Sequence, residues 1–224
     1  MRKKWKSYLN NMKIIGVSGF ARSGKDLFAR VAQNVLEKQG FKIEKYALAY
    51  ELKNDLKDLI YNKVGIDVFT ENTEEKNIIR PLLVAYGDVM RKVSMGKYWT
   101  NKIEQKIKQS NADVIFITDI RYDVYAEDEC TWLQNKQGGK LVHITKFKQE
   151  PMPSGRRFSK NKIVKIYNSA ANDHEMLNDP KVKLKADCAF EWEDYSDKLN
   201  GCVLDDHPYI TTNVIESLKS INLI

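Results

Sequence analysis

Residues 13–31 read KIIGVSGFARSGKDLFARV. An apolar run at 13–18 leads into the pattern G-x-x-x-x-G-K, met by Gly19, Gly24 and Lys25. Apolar residues then recur at Leu27, Phe28, Val31, Ala32, Val35 and Leu36, the period of an amphipathic helix over 26–39 that Gly40 closes. A glycine loop between a strand and a helix can curl until successive backbone N–H groups face one anion. The helix N-terminus adds its positive end, and the lysine reaches the outer phosphate oxygens. The bare pattern would arise by chance in roughly one chain in twenty of this length, so the weight rests on its flanks. Arg22 and Ser23 add a cation and a hydroxyl inside the loop. The next motif position, where a Ser or Thr hydroxyl ordinarily holds Mg²⁺, is Asp26, followed by Leu27. A carboxylate also suits a hard cation, directly or through water.

Outward from the loop, 41–49 alternates like a strand and 50–63 returns to helical spacing, which completes a βαβ unit with a further helix. Helices are expected over 77–94, with Pro81 near the start, and over 99–109. The nearly continuous apolar run 112–120 has the pattern of a strand buried on both faces of a parallel sheet. A helical stretch to about Lys136, a strand at 140–147, a strand at 186–194 and a helix at 211–221 follow. Regular periods fail over 148–180, which reads as an insertion or lid. Strands alternating with helices predict an α/β fold with a central parallel sheet.

The 224 residues, 42% hydrophobic, suffice for a core and the size of one domain. No run approaches the roughly 18 to 20 apolar residues that span a bilayer, so a soluble, cytoplasmic protein is expected. Cys130, Cys188 and Cys202 form neither a CxxC pair nor an even set, which fits a reducing compartment and argues against a structural zinc. The net charge of +7 is uneven: residues 1–11 carry +4, residues 146–165 a net +6, and the remainder −3. One tail and one loop are basic and the body is not, without interleaved aromatic platforms, so nucleic-acid binding is the lesser reading.

SGFARSGKD resembles the phosphate loop of bacteriophage deoxynucleoside monophosphate kinases, and the loop is also similar to that of animal phosphomevalonate kinases; both carry aspartate after the lysine. EKYALAYELKNDLKDLI, RPLLVAYGDVMRK, the YW at 98–99 and the DIR of VIFITDIRYD follow in the order of the phage kinases, so the resemblance spans most of 13–146. It implies a nucleoside-monophosphate-kinase-like, three-layer P-loop fold over 12–224, with a lid insertion at about 148–180 and a basic extension at 1–11. It further implies ATP and Mg²⁺, a nucleoside monophosphate as acceptor, a homodimer, and the cytoplasm of an infected host.

Phosphoryl transfer asks a protein for positive charge, a metal and an aligned acceptor. By resemblance, Gly19, Arg22, Ser23, Gly24, Lys25, Asp26 and Leu27 hold the donor. Asp26 and Asp119 hold the metal, Arg121 binds the acceptor phosphate or stabilises charge in flight, and Arg156 and Arg157 belong to the lid. Arg80, Asp88, Arg91 and Trp99 line the acceptor pocket. The plainer readings are a surface ion pair for Asp119 and Arg121, a solvated face for Arg80, Asp88 and Arg91, and core packing for Trp99, which repeats at i, i+4, i+8 with Ile103 and Ile107. The phage kinases carry Glu four residues after the arginine; here that position is Tyr125, with Glu127 and Glu129 further on. His174 fits a structural hydrogen bond better than a catalytic task.

Overall fold

Strand Val114–Ile120 is buried almost throughout, and its side chains divide between two cores. Val114 and Phe116 join the cluster on one face, while Ile115, Ile117 and Ile120 join the cluster on the other. A strand covered on both faces reads as an unbroken apolar run, and this one sits inside the sheet. In the computed structural model, which describes residues 12–151, 163–195 and 203–224, the strands are β1 Lys13–Ser18, β2 Ile43–Tyr46, β3 Val114–Ile120, β4 Lys140–Pro151, β5 Ile163–Tyr167 and β6 Cys188–Glu193. The helices are α1 Lys25–Glu37, α2 Leu48–Val64, α3 Thr73–Ser94, α4 Lys97–Gln109, the short α5 Glu129–Thr131 continued by a π turn Trp132–Lys136, α6 Asp173–Lys185 and α7 Pro208–Ser220.

The strands run β2-β3-β1-β4, all parallel, and β6 adds in parallel to the free edge of β4. Phe147 pairs with both Tyr167 and Glu193, so the antiparallel β5 lies on the opposite edge of β4 from β6, beyond the end of β1. Helices α1 and α7 cover one face through Phe28, Val31, Leu36, Ile210, Val214 and Leu218. Helices α2, α4 and α6 cover the other through Leu48, Trp99, Ile103, Ile107 and Val182. The architecture is a mixed α/β fold with a mostly parallel central sheet between helices. Leu56, Ile60, Val68 and Ile79 form a third small cluster that packs α2 against α3 away from the sheet.

Several boundaries differ from expectation for local reasons. Helix α2 starts at Leu48, so the second strand is only Ile43–Tyr46. Helix α3 starts at Thr73, four residues before the periodic stretch, because the Asn72 side chain accepts from Glu74 N–H at 2.8 Å and Glu75 N–H at 3.4 Å. Pro81 is therefore interior to it rather than near its start. The helical stretch toward Lys136 is confined to α5 and its π turn.

The segment read as an irregular insertion is largely regular where it is described: β4 continues to Pro151, β5 returns along it, and α6 begins at Asp173. Helix α6 escapes a periodicity search because it carries Pro180 and buries only Glu175, Asn178 and Val182. Residues 1–11 and the arginines 156 and 157 lie outside the described residues. Among the described residues no helix is long and apolar enough to cross a membrane.

Phe28 is fully buried, edge-on to Phe116 at 6.4 Å and tilted against Phe190 at 5.7 Å. Phe28→Ala should lower stability by about 3–5 kcal/mol, read as a shift of the urea midpoint with an unchanged slope.

Candidate functional site

The chain leaves β1 and enters α1 within six residues. Two points of this turn exclude side chains: Gly19 has φ 129°, and a Cβ there would lie 2.2 Å from Ile144 O. Gly24 has φ 94°, and its Cβ would lie 2.3 Å from the Trp192 ring. Trp192 is in place because its indole N–H donates to Ser23 O at 2.8 Å. Both glycines of the motif are thus demanded by backbone conformation and by a close neighbour. No side chain caps the N-terminus of α1, so its positive end opens onto the loop.

Lys25 curls back over the loop and donates to Gly19 O at 2.8 Å and Phe20 O at 2.7 Å. Burial, then the nearby Arg121, bring its pKa down to about 8. Ser23 is buried and its hydroxyl makes no hydrogen bond to the described residues. Leu27 packs toward the core between α1 and α7, and Arg22 adopts φ 64° and is exposed.

A cavity of about 660 Å³ opens beside the loop. Gly19, Ala21 and Arg22 line it from the loop, and Leu48, Leu52 and Lys53 of α2 with Arg80, Leu83, Asp88 and Arg91 of α3 line it from the helices. Asp119 and Arg121 close it at the end of β3, Glu129 and Trp99 contribute from behind, and residues 169–172 with His174, Glu175 and Asp179 complete the rim. The cavity lies at strand C-termini, where ligands sit in open α/β sheets. Eight of the residues singled out from the sequence thus share one cavity.

Their roles divide sharply. Asp119 is buried, and one of its oxygens accepts from Leu48 N–H at 2.8 Å while the other accepts from Ala49 N–H at 2.7 Å. It caps α2 and fixes that helix to the sheet, and burial raises its pKa. Asp26 does not meet it: Asp26 lines a separate cavity of about 480 Å³ with Arg30, Lys45, Tyr46 and Thr118. The expected pair of metal carboxylates is therefore split between two cavities. Among the described residues no group of three or more His, Cys, Asp or Glu could hold a metal ion.

Arg91 lines the cavity but is buried rather than on a solvated face, and its charge is already committed. It pairs with the fully buried Asp128 at 2.6 Å and stacks on the Tyr122 ring 3.4 Å from its centroid. Trp99, 3% exposed, packs edge-on against Tyr98 at 4.6 Å and Tyr86 at 5.8 Å, so it is a core residue whose flank reaches the cavity. Arg80 is exposed, lines the cavity and makes no ion pair among the described residues. His174 Nε2 lies 3.5 Å from Asp88 Oδ2 and joins α6 to α3.

Two acids of the site were not picked out as functional from the sequence. Glu129, not Tyr125, folds back beneath Arg121, accepting from Arg121 N–H at 2.6 Å and Tyr122 N–H at 3.1 Å. Burial, then its neighbour Asp128, push its pKa up to about 8. Glu175 ion-pairs with Arg121. Burial works against the Arg121 charge, but Asp119 and Glu175 outweigh it and raise its pKa. The available signal was N-capping: Asp128 accepts from Glu129 N–H at 3.1 Å, and Asn172 accepts from Glu175 N–H at 2.9 Å. The chain matches no protein-family model and no curated protein.

Gly24→Ala should lose about 3 kcal/mol, from the positive φ and the overlap with Trp192, measured by chemical denaturation. Glu129 holds its proton more tightly folded than unfolded, so its stabilising contribution is present below pH 4.5 and is lost as pH rises through about 8. Thermal melts should therefore fall by several degrees between pH 5 and 9, and Glu129→Gln should flatten that slope.

Proposed function

We propose that this chain is a P-loop phosphotransferase that moves the γ-phosphoryl group of ATP onto a nucleoside monophosphate, a deoxynucleotide by the resemblance of its loop, with Mg²⁺. The observation that carries the reading is that one cavity is lined both by Gly19, Ala21 and Arg22 of the glycine loop and by Arg80 of α3, which makes no ion pair among the described residues. A donor held on the loop and an acceptor held by Arg80 would meet in front of Arg121. Transfer of this kind depends on positioning and on charge stabilisation more than on covalent help from the protein.

The donor fits the residues present. The uncapped N-terminus of α1 would face the phosphates, and Lys25 needs only to exchange two carbonyls for phosphate oxygens. Arg121 supplies a charge-assisted donor for the group in flight. Mg²⁺ would enter with the nucleotide, since it binds through one or two carboxylates together with substrate phosphates and water rather than in a protein cage. Asp26 is the carboxylate available for it, because Asp119 caps α2. When bound, the metal would neutralise phosphate charge. Arg80 takes the acceptor phosphate in this reading, while Arg91 holds the wall that carries it.

An ADP-release assay over the nucleoside monophosphates and phosphomevalonate tests the proposal. Turnover with at least one nucleoside monophosphate is expected; silence on all of them with turnover on phosphomevalonate would move the chain to the other kinase class. Lys25→Ala should reduce turnover about a hundredfold or more with a thermal melt close to that of the parent chain, and wild-type rates in that variant would remove the loop from the chemistry. Phosphate binding requires a charged Lys25, whose pKa is about 8 before ligand arrives. Binding therefore takes up a proton above that pH, and affinity for ATP should drop about tenfold between pH 7 and pH 9, measured calorimetrically.

A further inference from the structure

The Glu175 carboxylate draws donors from three separate segments. Its Oε2 accepts from Ala21 N–H of the glycine loop at 3.1 Å and from Ala171 N–H at 3.2 Å, and its Oε1 pairs with Arg121 Nη1. Asn168 Nδ2 donates to Ala21 O at 3.3 Å, so both backbone groups of Ala21 are held from α6 and the stretch that leads into it. Two backbone N–H groups and a guanidinium converging on one pair of oxygens form the kind of donor set that recognises phosphate. Ala21, Ala171, Arg121 and Glu175 all line the cavity already described. Lys25 is meanwhile satisfied by the carbonyls of Gly19 and Phe20, so the chain answers both cations of the site with its own oxygens.

We propose that Ala21 N–H, Ala171 N–H and Arg121 form a phosphate position that Glu175 occupies as a displaceable stand-in, so that a phosphate ligand must push aside the first turn of α6 before Arg121 engages it. Glu175 is the third residue of α6, in its first turn, and helix ends are where fraying begins. One turn further on, Asp179 is anchored by His143 Nε2 at 3.0 Å, so release of the first turn leaves the rest of the helix docked. The same release would part His174 from Asp88 and widen the cavity mouth. This deepens the phosphate-loop reading and rests on it, but it requires no particular acceptor.

Calorimetric titration of the full chain with inorganic phosphate and with pyrophosphate tests the proposal. Glu175→Ala removes the stand-in and leaves the three donors, and should tighten phosphate binding at least tenfold. Glu127→Gln removes one negative charge from an exposed ion pair with Lys97 outside the cavity, and should change binding less than twofold. Equal or weaker binding in Glu175→Ala, or an equal gain in Glu127→Gln, overturns the proposal. Should Glu175→Ala fail to fold, Glu175→Gln keeps the volume and should still tighten binding several-fold; no gain in that variant overturns it. In the wild-type chain, saturating phosphate should speed amide exchange over residues 173–176 while the Ala21 amide stays protected, and unchanged exchange there counts against it. Tightening without turnover on any nucleotide would keep this inference and remove the kinase reading; turnover without tightening would do the reverse.

Discussion

The fold and the site both depend on one steric constraint, the turn by which β1 becomes α1. Gly19 must pass beneath the Ile144 carbonyl and Gly24 beneath the Trp192 ring, so β1, β4 and β6 are held in mutual register by what the loop can tolerate. The indole N–H on Ser23 O then locks β6 to the loop. Because Trp192 belongs to the last strand among the described residues, the glycine loop depends for its shape on the C-terminal part of the sheet.

A second constraint runs from the end of β3. Asp119 joins the sheet to α2 through two backbone amides, and α2 carries α3 through the small cluster around Ile60 and Ile79. Arg91 and Asp128 tie the far end of α3 to the loop after β3. The cavity is therefore bounded by two struts that start within ten residues of one another in sequence, and its width follows from side chains that never need to touch a ligand. A buried pair of this sort is strongly destabilising to break from one side, which suits a wall-holding role.

What could be read from the sequence divides along the same physical line. β1, α1, α4 and β3 were legible because their burial is periodic or continuous, as the Trp99, Ile103, Ile107 series illustrates. The loop was legible because its glycines serve a local backbone requirement. Helix α6 was not, since its contacts with the site are polar, through Glu175 and Asp179, and periodicity detects only apolar burial. The direction of a carboxylate was equally hidden: nothing in ITDIR tells whether Asp119 faces a ligand or the amides of a helix 71 residues earlier. The commitment of Arg91 was hidden for the same reason, because its partner Asp128 lies 37 residues away.

The buried Asp128–Glu129 neighbours also alter how the whole molecule behaves as an ion. The formal net charge of +7 counts every Glu as an anion. With the Glu129 pKa raised to about 8 by burial and Asp128, the folded chain favours the protonated carboxyl at neutral pH, which moves its net charge above the value its composition states. Unfolding releases the proton, so the native and denatured forms differ in electrophoretic mobility beyond what their shapes alone would produce. A nearly buried carboxyl thus shows itself in a property of the whole surface.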